Sequence, residues 1–289
     1  MLDLTRLRVL VAVARTGSVT AAARALEYAQ PSVSHHLARL EAETGSQLVQ
    51  RVGRGIRLTE AGRVRLAAFP SALGTFVPTA AAAFAVEHPG VELRFTEAEP
   101  PEAVRLLRAG EVDVALVFGY PDKRQLAAPA QVPVRDTPQV EEDGLRRYPL
   151  LTEPSHLVAP AHLPGDRLAD HAGRRWIGGC ERCRRHLVHL CAAAGFTPDL
   201  AFTTDDGVAL QALVAAGLGV AVLPGLALAA HRHPGVRVVR LPDPGRVISA
   251  AVHGAAPDPP ATAALLSDLV AAARAALLPP DRTQVADQP

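Results

Sequence analysis

Cys180-Glu181-Arg182-Cys183, with His186, His189 and Cys191 beyond it, is a dense group of reactive side chains in this 289-residue chain. Thiolate and imidazole suit zinc, and a Cys-x-x-Cys pair suits thiol redox chemistry. The spacing argues against the metal. There is a single Cys-x-x-Cys, and the histidines follow it by three and six residues on one expected helix. Four side chains on one rigid helix rarely converge tetrahedrally. Arg182, Arg184 and Arg185 repel a cation, although they favour thiolate. No cofactor or metal is expected; Cys180 is placed at a cleft edge near a helix N-terminus, the other cysteines in packing or surface positions. Asp205-Asp206 is an acidic pair, but no GxSxG, Walker A, GxGxxG with a following acid, or HExxH accompanies it. An enzyme is not expected.

A second set of competent residues lies in 18–41, SVTAAARALEYAQPSVSHHLARLE. Val19, Ala22, Ala23 and Leu26 recur at helical spacing, and the two alanines let a second helix cross closely. That helix is expected to begin at Pro31, whose missing N–H is harmless at a first helical position. Val33, Leu37 and Leu40 form its buried stripe. Gln30, Ser34, His35 and Arg39 remain off it, an amide, hydroxyl, imidazole and guanidinium set of the kind a DNA major groove accepts.

Composition bounds the rest. Hydrophobic residues make up 48% of the chain, no apolar run reaches the roughly 20 residues of a membrane helix, and 1–4 lacks the character of a signal peptide. A cytoplasmic protein with no membrane partner is expected. Three cysteines do not make a disulfide framework. Residues 1–66 hold ten arginines and five acids, which leaves a surplus of negative charge in the remainder. A basic head on a mildly acidic body fits polyanion binding.

In chain order, 4–15 is expected as a helix with Leu4, Leu7, Val11 and Ala14 on one face, ended by Thr16-Gly17. Ser18 is a plausible N-cap for the next. After the helix pair, 47–52 and 56–58 flank Gly53-Arg54-Gly55, two short strands around a tight turn. Arg51, Arg54 and Arg57 are placed to reach phosphates, with Arg54 at the tip able to enter a minor groove. Thr59 is expected to cap a last helix at 60–62.

This order of motifs, SVTAAARAL, QPSVSHHLARLE, wing and RGIRLTEAG, resembles the winged helix-turn-helix head of LysR-type transcriptional regulators. The resemblance implies that the helix starting at QP is the recognition helix, with Gln30, Pro31, Ser32, Ser34 and His35 facing bases or nearby phosphates. The chain departs from the family in having His35-His36 where an arginine and a polar residue are commoner, and Val49 where phenylalanine is usual. It also lacks the long linker helix that normally pairs two subunits. About 25 helical residues would span about 37 Å, and TEAG instead runs directly into RVRLAAFPSALGTF. Homo-oligomers, dimers or tetramers, are therefore expected to be weakened or altered.

From Arg65 strands and helices alternate, as in an α/β domain. Strands are expected at 64–69, 91–97, 112–118, 148–159, 176–177, 200–203, 220–223, 236–241 and 247–253. Helices are expected at 72–88, 101–109, 181–194, 207–216 and 258–278, with an aperiodic surface excursion over 119–149. HPGVEL, LLRAGEVDVALV and TTDDGVALQALVAAGLGVAVLPG resemble the effector domain of the same family. That implies an overall α+β chain: a winged head over 1–63, then a periplasmic-binding-protein-like (type 2) α/β domain over 64–278. Its first subdomain is about 64–155 and 246–278, its second about 156–245, and 279–289 is expected as a disordered tail. The implied function is operator binding on double-stranded DNA, modulated by a small-molecule effector in the cleft between subdomains. The alternative is a ligand-binding protein with impaired DNA function. Ser71, between a strand and a helix, can serve an anion or simply cap the helix. Family position adds Ala98, Glu99, Phe118, Ile177, Gly178 and Thr204 to the effector site, with Asp205-Asp206 on its rim, and Cys180 joins it from the cleft edge. An acidic Glu99 suits an effector with a cationic or hydroxyl-rich portion.

Overall fold

A computed structural model describes residues 4–44, 48–52, 55–58, 63–121, 139–140 and 144–276. Three helices form the head: α1 (Leu4–Thr16), α2 (Val19–Leu26) and α3 (Gln30–Thr44). Ser18 caps α2 by accepting a hydrogen bond from the Ala21 N–H at 3.4 Å. The core of the head is Val9, Val13, Ala22, Ala23, Val33 and Leu37. The expected face of α1 is corrected here: Leu4 and Val11 are exposed, and Val9 and Val13 are buried. Two apolar stripes compete along that helix, and the one carrying Val9 and Val13 packs with the alanines of α2. Helix α3 starts at Gln30, one residue before the expected Pro31.

The wing is an antiparallel pair, β1 (Val49–Val52) and β2 (Gly55–Leu58), with Val52 opposite Gly55. Glu41 Oε1 accepts from the N–H groups of Leu48 and Val49 at 2.8 and 3.1 Å, tying the end of α3 to the wing. The capped helix expected at 59–62 lies outside the described residues.

Five Cα steps beyond Leu58 the chain enters β3 (Arg63–Ala68), a reach of at most about 18 Å. It pairs in parallel with β4 (Glu92–Glu97) and β5 (Val114–Gly119). The single helix expected at 72–88 is two, α4 (Pro70–Leu73) and α5 (Phe76–Glu87), broken at Gly74-Thr75. Helix α6 (Pro100–Ala109) follows β4. The strand expected over 148–159 is also two. A six-stranded sheet takes β7 (Leu145–Glu153) beside the short β6 (Gln139–Val140), and β8 (Ser155–Pro160) lies in a five-stranded sheet beyond Pro154. Pro154 is the one residue between the two strands, where the chain leaves one sheet for the other.

The second sheet adds β9 (Arg175–Gly178), β10 (Asp199–Thr203), β11 (Val220–Pro224) and β12 (Val236–Arg240), in the order β10-β9-β11-β8-β12. Helices α7 (Glu181–Ala193), α8 (Gly207–Ala215) and α9 (Gly225–Ala230) accompany it. The chain returns through β13 (Arg246–His253), giving β4-β3-β5-β13-β7-β6, and closes with α10 (Pro260–Ala276) packed on α5. The tail at 279–289 and most of the excursion at 119–149 lie outside the described residues.

Two strand crossings thus join the subdomains, one at Pro154 and one at 241–245. Gly245 holds the second. Its φ is +72°, and a Cβ there would lie 1.8 Å from the Glu153 carbonyl oxygen, so no side chain fits.

Candidate functional site

At the first crossing Glu153 is buried, and at the second so is Arg246. Arg246 Nε donates to Glu153 Oε1 at 2.5 Å, and its Nη2 donates to Ser71 Oγ at 2.7 Å. The guanidinium lies 4.2 Å from the centroid of Phe118 and 4.8 Å from that of Phe69, cation–π contacts that favour the charged form in a dry setting. Glu153 Oε2 accepts from the Leu226 N–H at the start of α9. One ion pair therefore ties together both crossings and both subdomains.

Above it a cavity of about 520 Å³ opens between the subdomains. Of the residues expected at an effector site, Ser71, Glu99, Cys180 and Thr204 line it, with Asp205 and Asp206. Phe118 and Ile177 do not: both are core residues, and Phe118 supports Arg246 from below. Gly178 is also buried, behind Thr203 and Arg184. Ala98 is buried in the cluster under α6. Alternation accounts for Phe118 and Ile177, whose strands turn those side chains into the core, whereas Gly178 has no side chain and Ala98 follows the last residue of β4. Arg246, Cys183 and His231 line the cavity and were not anticipated. A lone arginine opening a returning strand in PGRVISAAVH was the available signal for the first.

Ser71 neither caps α4 nor offers a helix-terminal anion site. It lies inside a four-residue helix capped by Phe69, and its hydroxyl is engaged by Arg246. Glu99 precedes α6 without capping it, and its Oε2 has no hydrogen-bond partner among the described residues. Burial, reinforced by Cys180 beside it, pushes its carboxyl up to about 8. Near neutral pH it is an uncharged O–H donor, which removes the reason for expecting a cation at this position. Asp206 accepts from the Val208 and Ala209 N–H groups and caps α8.

Cys180 precedes α7 and Cys183 lies in its first turn, with the two sulfurs 3.2 Å apart. His186, one turn on, lies outside the cavity lining. It stacks on Tyr120 with centroids 3.7 Å apart, and its Nε2 meets Asp243 Oδ2 at 2.9 Å. Ser155 Oγ donates to that same carboxylate oxygen at 2.9 Å. Burial pushes Asp243 up, but the bonds from His186 and Ser155 outweigh it and hold the carboxyl low. Ser155 Oγ also lies 3.2 Å from His186 Nε2, so serine and aspartate meet the same ring nitrogen, whereas a catalytic triad needs them on opposite nitrogens of the imidazole. Among the described residues no group of three or more His, Cys, Asp or Glu is placed to hold a metal ion.

On the head, Gln30, Pro31, Ser32, Ser34, His35 and Arg39 are all exposed. Ser32, His35 and Arg39 follow helical spacing and form the outermost ridge of α3. Ser34 lies on the neighbouring face, where Ser34, Ala38 and Glu41 line a crevice of about 400 Å³ against Arg146 and 253–259 of the α/β domain. Arg51 and Arg57 are opposite halves of the wing ladder, pairing with Ile56 and Gln50; their side chains, and all of Arg54, lie outside the described residues. The positive surplus of the head is smaller than the sequence count. Arg63 and Arg65 belong to β3, where they pair with Glu92 and Asp113, leaving eight arginines against five acids over 1–62. Among the described residues no helix is long and apolar enough to cross a membrane.

Two family models match the chain. Residues 4–63 match "Bacterial regulatory helix-turn-helix protein, lysR family", and residues 58–274 match "LysR substrate binding domain". A probable hydrogen peroxide-inducible genes activator of Mycobacterium avium is 30% identical over 279 residues, covering 84% of this chain and 85% of that protein. A probable HTH-type transcriptional regulator, LrrA of Synechococcus elongatus, is 28% identical, covering 93% and 96%. Of solved structures, CbnR, described as a LysR family transcriptional regulator, aligns with TM-score 0.53 at 23% identity, covering 93% of this chain and 100% of that one. A cysteine mutant of Corynebacterium glutamicum OxyR aligns with TM-score 0.58 at 21% identity, covering 95% and 92%. At these identities the structures speak for the fold alone.

Proposed function

The chain belongs to the LysR family of bacterial transcriptional regulators, DNA-binding proteins rather than enzymes, and from that premise we propose how its parts divide the work. Helix α3 reads one operator half-site. Gln30, Pro31, Ser32 and His35 meet bases or adjacent phosphates, Ser34 faces the α/β domain instead, and Arg39, Arg51, Arg54 and Arg57 meet the backbone. The cavity above Arg246 holds a small effector whose binding shifts the arrangement of subunits. The protein works in the cytoplasm as a homo-oligomer assembled through its α/β domains, since only four residues separate the wing from β3.

The observation that carries the effector reading is the hinge ion pair beneath the cavity. Closing two subdomains around a ligand moves the two crossings, and Arg246 with Glu153 spans both. The lining also constrains the ligand. Glu97, Asp205 and Asp206 stand on the walls, while the lining arginine is already paired with Glu153. A polar, hydroxyl-bearing molecule without negative charge suits this cavity better than a carboxylate. A thermal-shift panel of small polyols, amino compounds and carboxylates on the full chain tests it. Stabilisation by members of the first two classes, lost in Thr204→Val, is expected; stabilisation by carboxylates alone contradicts the assignment.

A further inference from the structure

Cys180 and Cys183 belong to a hydrogen-bonded chain that crosses the subdomain boundary. The Cys180 S–H points at the Cys183 sulfur at 3.2 Å, and the Tyr120 O–H, from the end of β5 in the other subdomain, points at the same sulfur at 3.5 Å. Both sulfurs line the cavity. Gly179 makes room for this: a Cβ there would approach the Cys183 Cβ to 3.2 Å. Cys191 sits apart, fully buried two turns further along α7.

We propose that Cys180 and Cys183 form a dithiol site that is oxidised to an internal disulfide by a low-molecular-weight organic disulfide entering the cavity. The route of entry rests on the cleft assigned above; the chemistry rests on the sulfurs. Cys183 is the nucleophile. The hydrogen bond from Cys180, with the Arg246 charge behind it, holds its thiol low against the opposing effect of burial, while the same hydrogen bond pushes Cys180 up. The Cys183 thiolate attacks one sulfur of the reagent RSSR, forming a Cys183–SR mixed disulfide and releasing RS⁻. That thiolate takes the proton of Cys180. Cys180 then attacks the Cys183 sulfur, closing the bond and expelling the second RS⁻. Two protein sulfurs are oxidised, and one disulfide is reduced to RSH and RS⁻.

The bond alters the cleft and the boundary together. Cys180 loses the proton it directs at Cys183. The Cys183 sulfur becomes a neutral, weaker acceptor for Tyr120 and no longer offers a negative charge to Arg246. The subdomain junction is loosened where Tyr120 also stacks on His186.

The test uses the reduced full-length chain, 2-hydroxyethyl disulfide, acid quenching, alkylation and peptide mass analysis. Wild type and Cys191→Ser should each lose two hydrogens from the peptide carrying Cys180 and Cys183, reversibly on adding dithiothreitol. Cys180→Ser should stop at a mercaptoethanol adduct on Cys183, formed at least about tenfold faster than any adduct on Cys183→Ser. No internal bond, a bond to Cys191, or adducts that persist on wild type would overturn the proposal. The effector reading would survive that result, because the thermal-shift panel is run on the reduced chain and reads binding rather than sulfur chemistry.

Discussion

Arg246 and Glu153 form an ion pair at 2.5 Å, each side chain only 3% exposed, and they belong to the two different strands that join the subdomains. Taking two charges out of water is costly, and removing one partner strands the other. Glu153→Gln or Arg246→Met should therefore destabilise the fold by about 3–5 kcal/mol in urea melts. The double variant Arg246→Met with Glu153→Leu should recover a large part of that loss. A double variant no more stable than the worse single one would show that the pair is not the source of the effect.

Gly245 permits that pairing. Gly245→Ala places a methyl group against the Glu153 carbonyl at a backbone φ of +72°, so the crossing must shift. A loss of more than about 2 kcal/mol is expected by denaturant titration, against the few tenths typical of a surface change. Unchanged stability would mean that the crossing adapts freely.

Glu99 gives a pH dependence of definite sign. Its carboxyl is raised from 4.5 to about 8, so between those values the folded chain binds a proton that the unfolded chain has released. Stability from this group is fully present below pH 4.5 and falls as pH rises through about 8. Glu99→Gln should flatten the decline between pH 5 and 8 in thermal melts relative to wild type. A variant with the same slope would place the proton elsewhere.

Much of this is legible in the sequence. The buried stripe of α3, the Ser18 cap and the strand–helix alternation followed from periodicity and cap chemistry, which are local. What failed was long-range. On α1 two stripes were available, and only the partner helix selects Val9 and Val13. Phe118 and Ile177 are turned into the core by the pleat of their strands. Arg63 and Arg65 read as part of a basic head until strand pairing set them beside Glu92 and Asp113. The neutral state of Glu99 needed its burial to be known.

The short junction between wing and β3 has its own consequence. With no long helix between them, head-to-head pairing has no element to support it. Light scattering on the full chain should show association that weakens on dilution, and a fragment of residues 1–62 should be monomeric. A tight dimer of that fragment would contradict the account.

DNA recognition by α3 is the central claim, and selection from sheared genomic DNA tests it most directly. Full-length wild type should retain fragments sharing one short sequence. Gln30→Ala should relax preference at one base pair, worth about 1–3 kcal/mol. Arg39→Ala should weaken all fragments alike and lower the salt slope by about 1. Retention of the same enriched sequence by a Gln30→Ala, His35→Ala, Arg39→Ala triple variant would show that the reading surface lies elsewhere.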